Sequence, residues 1–103
     1  MAAQHVVYVD VDDTLVRSFG AKRIPNTAAI AEVKRLKQQC AQLFLWSSGG
    51  AAYCKDTATE LGLTDCFSGF LPKPTVYVDD VQLTAWRNCV YVHPNQLNTL
   101  VLS

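Results

Sequence analysis

Four apolar runs, at residues 5–11, 42–46, 75–78 and 89–92, all but the second rich in Val and Tyr, constrain the fold more than any other feature of the chain. None alternates cleanly between apolar and polar residues. Such runs suit strands covered on both faces, which is the habit of a parallel sheet. Between the first two runs, Pro25 opens a segment through Gln39 that carries Ala28, Ile30, Ala31, Val33 and Leu36 among Glu32, Lys34, Arg35 and Lys37. That spacing, with Pro in the first turn, predicts a helix. A second helix is predicted over Ala51 to Leu61 with Gly62 as its stop. Cys66 to Phe70 reads as a further short strand, and Val81 to Arg87 as a last short helix. The resulting order, β-α-β-α-β-β-α-β, predicts an α/β fold with right-handed crossovers and helices on both sheet faces. A chain of 103 residues is one domain, residues 1–103, with no repeat, low-complexity tract or interdomain linker.

Five of the nine acidic residues fall in two clusters, Asp10, Asp12 and Asp13 after the first run and Asp79 and Asp80 after the third. Both clusters sit where a strand emerges into a loop, and open α/β sheets bind ligands at the carboxyl ends of their strands. Carboxylates gathered there repel one another unless a cation or bound protons balance them. Hard oxygen donors of this kind suit Mg²⁺. The pattern therefore predicts a Mg²⁺ site assembled from two strand ends.

Nine basic residues balance nine acidic ones, so composition supplies no broad positive field for non-specific nucleic-acid binding. Met1-Ala2-Ala3-Gln4 lacks the basic and apolar pattern of a leader, and no apolar run approaches the roughly 20 residues of a membrane span. A cytoplasmic location is expected. Cys40, Cys54, Cys66 and Cys89 are too widely spaced for a zinc site and are expected to be reduced, buried thiols.

Taken together, Asp10-x-Asp12-x-Thr14 after a strand, Ser47 after the next, Lys73 before a strand and Asp79-Asp80 after it resemble the haloacid dehalogenase (HAD) superfamily of phosphohydrolases in type and order. The stations span residues 5 to 80. The double-aspartate motif and Leu45-Trp46-Ser47-Ser48 are most similar to the small capless members, which include magnesium-dependent phosphatases acting on varied phosphomonoesters. The resemblance implies a three-layer α/β/α sandwich around a mainly parallel, Rossmann-like sheet of about five strands. With 32 residues between Thr14 and Ser47 and 24 between Ser48 and Lys73, neither usual cap insertion is present. The chain ends about ten residues after the run at 89–92, which leaves one sheet edge thinly covered. Homo-oligomerisation would protect that edge and supply a lid.

Asp10 is the expected nucleophile, since an ionised carboxylate attacks phosphorus to give a hydrolysable acyl phosphate. The resemblance implies that Asp12 gives a proton to the leaving-group oxygen and then takes one from water. Thr14 holds the loop or a phosphate oxygen, or simply caps a turn. The Ser47 hydroxyl and the amides of Ser48, Gly49 and Gly50 are candidate phosphate donors at a helix amino end, with an ordinary helix cap as the alternative. Lys73 is expected to neutralise charge on Asp10 and phosphate together, or else to be merely solvated. For the metal, Asp80 is the better direct ligand and Asp79 a direct or water-mediated one. Asp10 would add its carboxylate and Asp12 its backbone carbonyl. The alternative for Asp79 and Asp80 is capping of the following helix. Asp13 tunes the field at most. Arg17, Lys22 and Arg23 lie where the superfamily has a mobile flap and either select an anionic substrate or form a solvated loop. Trp46 and Trp86 are expected in the core, and His5 and His93 have no catalytic role.

The reading these residues favour is a Mg²⁺-dependent phosphatase, a phosphoric monoester hydrolase working through aspartyl phosphate. A receiver-type signalling domain uses similar parts but takes its phosphoryl group on a mid-chain aspartate, and residues 40 to 54 contain no acid. A catalytically silent binding domain on the same fold is the third reading. An open site admits phosphoproteins or nucleic-acid ends as substrates, whereas the neutral net charge leans toward a small phosphometabolite.

Overall fold

The computed structural model describes residues 4–102; the start of the amino-terminal segment weighed above as a leader, residues 1–3, lies outside them. Strand β1 (Val6–Asp10) pairs in parallel with β4 (Gln42–Ser47), which pairs in parallel with β5 (Gly69–Pro72). The register sets Asp10 beside Trp46 and Ser47 beside Pro72, so all three strands end at one rim. Two further strands, β2 (Val16–Phe19) and β3 (Lys22–Pro25), form a separate antiparallel hairpin. Gly20 opens its two-residue turn at a φ of 62°, the left-handed conformation that tight hairpin turns demand.

Helix α1 (Thr27–Gln38) begins two residues later than Pro25 because Asn26 is its cap, its side-chain oxygen accepting from the Ala29 amide. The Asn26 side chain also donates to the Thr14 carbonyl, tying the helix to the loop after β1. Ala29, Val33 and Leu36 form its buried stripe. Helix α2 (Ala51–Leu61) has the expected bounds, and Gly62 ends it in the left-handed conformation while Leu63 N–H returns to the Ala58 carbonyl. Cys54, Thr57 and Ala58 face inward.

Leu43 and Leu45 of β4 join Val9, Val33, Leu36, Cys54, Ala58 and Leu63 in one buried cluster. Alternate residues of the sheet form a partly exposed aromatic row, with Tyr8 centred 5.2 Å from Phe44 and 5.0 Å edge-on from Trp46. The alternation missing from the sequence pattern is thus present in burial, because aromatic side chains occupy the open face. Arg35 on α1 donates to the Leu97 and Leu100 carbonyls and fastens the carboxyl-terminal segment to the helix.

Several expectations are corrected. The runs at 75–78 and 89–92 form no strand, the strand expected at 66–70 lies instead at β5, and Val81 to Arg87 contributes one 3₁₀ turn, Leu83–Ala85. Among the described residues the parallel sheet consequently has three strands. Pro72 and Pro74 withhold two amide donors just where the chain leaves β5, and the following side chains gain no burial: Val78 is 96% exposed. Strand propensity reflects packing against neighbours, and this segment has none beside it. Trp86 is exposed, not core, and Trp46 is half-buried. Of the four thiols, all free, Cys54 is buried and Cys66 half-buried, whereas Cys40 and Cys89 are exposed.

Candidate functional site at the β1 and β4 strand ends

The carboxyl end of β1 delivers Asp10 to the rim, and the chain then folds back on itself, with Thr14, Leu15 and Val16 amides all directed at the Val11 carbonyl. Asp13 takes a φ of 61° in this turn, a conformation that aspartate tolerates better than most residues. Its placement gives Asp13 a backbone task in addition to its charge. The same turn brings the Thr14 hydroxyl to Asp10, donating to Oδ2 at 3.3 Å.

Lys73 arrives from the end of β5. Its backbone amide donates to the Ser47 carbonyl at 2.9 Å, and its Nζ lies 3.1 Å from Asp10 Oδ1 and 5.7 Å from the Trp46 ring centre. The expected pairing with Asp10 is present, in place of the alternative of a merely solvated lysine, and both oxygens of Asp10 have donors. The pair is open to water, with side-chain exposures of 37% for Lys73 and 31% for Asp10.

At the end of β4, Ser47 is buried and its Oγ accepts from the Gly49 amide at 3.0 Å. That is a local turn contact two residues along the chain, not the helix cap given above as the alternative to phosphate binding. Ser48 and Gly49 are exposed, and no side chain caps the amino end of α2 at Gly50. The first turn of α2 thus presents amides and a positive dipole end at the rim that carries Asp10. Gly49 is required for a reason other than close approach of a ligand. A Cβ there would lie 2.8 Å from Cδ2 and 3.1 Å from Cγ of Tyr53, so the tyrosine ring rests on the glycine backbone.

Tyr53 is the residue that sequence reasoning missed. Its hydroxyl donates to Asp12 Oδ1 at 2.6 Å and accepts from Arg23 Nη2 at 3.1 Å. The hydrogen bond to the Asp12 carboxylate, reinforced by burial, raises the Tyr53 pKa above its ordinary 10.0, so the hydroxyl keeps its proton at neutral pH. Arg23 also donates to the Thr57 hydroxyl at 3.0 Å and pairs with Glu60 at 2.7 Å. Its guanidinium is accordingly committed to α2, not presented to a substrate. Of the other two cations in this stretch, Lys22 is exposed on the hairpin and Arg17 lines an open groove of about 310 Å³ with Asn26, Glu32 and Asn98. The only sequence signal for Tyr53 was its place in the first turn of a helix that follows Ser47-Ser48-Gly49-Gly50.

Asp79 and Asp80 are exposed. Asp79 Oδ1 accepts from the Val81 amide at 2.9 Å, and that amide, followed by the Asp80 side chain, holds the Asp79 carboxyl below its ordinary 3.8. This contact is a local turn and not the helix cap given above as the alternative, since no side chain caps the following 3₁₀ turn, Leu83–Ala85. The donor chemistry of Asp10, Asp12, Asp79 and Asp80 fits Mg²⁺, while among the described residues no three His, Cys, Asp or Glu side chains gather into one group. Nor is any helix of the described residues long and apolar enough to cross a membrane.

The fold and the rim define a small α/β protein with an acidic strand end answered by a lysine. Residues 1–84 match the family described as protein of unknown function (DUF705), and the chain belongs to that family. Neither a curated protein nor a solved structure matches it.

Proposed function

We propose that this protein is a HAD-like phosphomonoester hydrolase in which Asp10 accepts the phosphoryl group. The observation that carries the proposal is the two-sided clamp on Asp10, with Lys73 Nζ 3.1 Å from Oδ1 and Thr14 Oγ1 3.3 Å from Oδ2, beside the uncapped first turn of α2. A carboxylate so held presents a fixed nucleophile, and an ammonium against it offsets the charge that collects on a transferring phosphoryl group. In the first step an Asp10 oxygen bonds to phosphorus as the ester P–O bond breaks, and Asp12 gives its proton to the departing oxygen. Water then attacks the acyl phosphate, Asp12 takes the water's proton, and inorganic phosphate leaves Asp10 restored. Amides at the start of α2 and the Ser48-Gly49 turn would receive the phosphate oxygens.

Mg²⁺ belongs to the proposal through donor chemistry: bound near Asp10, it would offset phosphoryl charge. In the described sheet β1 is paired on one side only, with β4. That open side of β1 is where a further strand would extend the sheet toward the capless three-layer sandwich with its five or so parallel strands. The substrate class is a phosphomonoester, a small phosphometabolite before a phosphoprotein or nucleic-acid end, and the cytoplasm is the compartment that fits. A second copy lying over the rim would serve as the lid that the chain lacks. The exposure of Asp79 and Asp80 favours one competing reading, a catalytically silent binding domain.

A panel of phosphomonoesters with and without Mg²⁺, run on wild type and Asp10→Asn, tests the proposal. Metal-dependent phosphate release, with an acid-stable acyl phosphate trapped on wild type and lost from Asp10→Asn, is expected. Equal release by both proteins removes Asp10 as nucleophile, and no release by either supports the silent domain.

A further inference from the structure

On the reading of Asp12 as the proton donor and acceptor, we infer that Tyr53 is a positioning residue that selects which oxygen of Asp12 handles the proton. The Tyr53 hydroxyl donates to Asp12 Oδ1 at 2.6 Å, which occupies that oxygen and leaves Oδ2 as the one that faces a leaving group. A phenol hydroxyl rotates, so its proton needs to be directed. Arg23 does this: Nη2 donates to the Tyr53 oxygen at 3.1 Å, and an oxygen already accepting from one side turns its proton to the other, toward Asp12. The Arg23 guanidinium carbon also lies 5.3 Å from the centre of the Tyr53 ring.

Each end of this relay is anchored. Gly49 sits beneath the ring, where any Cβ would collide with it, and Arg23 is itself held by Thr57 at 3.0 Å and Glu60 at 2.7 Å. Asp12 lies in the exposed loop after β1, where a bridge to Val16 fixes its backbone and Tyr53 holds its carboxylate. Its carboxylate is thus oriented across the rim by the first turn of α2, which is in turn clasped by the β2–β3 hairpin. The device serves proton delivery to the leaving group and adds nothing to phosphate binding, which separates it from Lys73 and the α2 amides.

Leaving-group dependence tests the inference. Phenyl phosphate expels a poor leaving group that needs a proton, whereas p-nitrophenyl phosphate expels a stable anion that does not. First-turnover release of each phenol is measured for wild type, Tyr53→Phe and Asp12→Asn. Tyr53→Phe keeps the ring on Gly49 and is expected to slow the phenyl ester about tenfold and the nitrophenyl ester less than about twofold, with KM unchanged for both. Equal slowing of both esters, which a merely structural defect would give, overturns the inference. So does a Tyr53→Phe protein that matches wild type on both while Asp12→Asn is slowed; Asp12 then keeps its role and Tyr53 loses its own. If Asp12→Asn is as fast as wild type on the phenyl ester, or wild type turns over neither ester, the reading of Asp12 fails and the inference falls with it.

Discussion

Arg23→Met should loosen the hairpin from the body of the protein, and the contacts it removes set the size of the effect. Methionine keeps much of the aliphatic stem but none of the five donors of the guanidinium. The pair with Glu60, whose side chain is 54% exposed, contributes about 0–1 kcal/mol in water. The bonds to the hydroxyls of Tyr53 and Thr57 are charge-assisted and partly shielded. Discounted, for the solvent that reaches Arg23, to just below the usual range for such bonds, they contribute roughly 1–1.5 kcal/mol each. Thr57 is buried, so its hydroxyl gains little from water once the arginine is gone. Together the loss should be about 2–4 kcal/mol, which for a chain of this size lowers Tm by at least about 8 °C. Urea denaturation followed by circular dichroism measures the loss, and amide exchange at residues 16–25 shows whether it is concentrated in the hairpin. A double-mutant cycle with Glu60→Gln isolates the ion pair. A total loss under about 0.5 kcal/mol, with hairpin exchange unchanged, would refute the claim that Arg23 holds this element to α2.

Two other outcomes follow from the same rim. Gly49→Ala should cost about 1–3 kcal/mol, because its Cβ would meet the Tyr53 ring at 2.8 Å and neither backbone nor ring root can yield freely; combining it with Tyr53→Ala should cost less than the two losses added, and strict additivity in urea melts would contradict the contact. Burial raises the Cys54 pKa above its ordinary 9.0, and Tyr53 is raised above 10.0, so the unfolded chain releases these protons first and stability should fall as pH climbs past about 9. Cys54→Ala should flatten the lower part of that decline, and a urea midpoint constant from pH 8 to 10.5 in wild type would rule it out.

Much of the candidate site was legible because its signals are local. Asp10 follows an apolar run, and a strand ending in a carboxylate puts that group on a rim wherever the strand pairs. Gly62 marks a helix end through its lack of a side chain, whereas Pro25 points to a helix start two residues before the one that Asn26 caps. Lys73 was legible only as a cation in the right order along the chain; its approach to Asp10 depends on β5 lying beside β4. Nothing local distinguishes Arg23 from Arg17 or Lys22, three cations in one exposed stretch. Their separation into a clasp on α2, a groove wall and a surface charge comes from the direction in which the hairpin folds back.

The sequence by itself determined the two helices, the first two parallel strands and the placement of Asp10 at a strand end, because helix caps, turn residues and unbroken apolar runs act over a few neighbouring residues. Only the tertiary structure decided that Tyr53 would meet Asp12 and that Val76 to Val78 would lie unpaired. A strand is completed by its neighbour and a hydrogen bond by its partner, and both are supplied by parts of the chain tens of residues away.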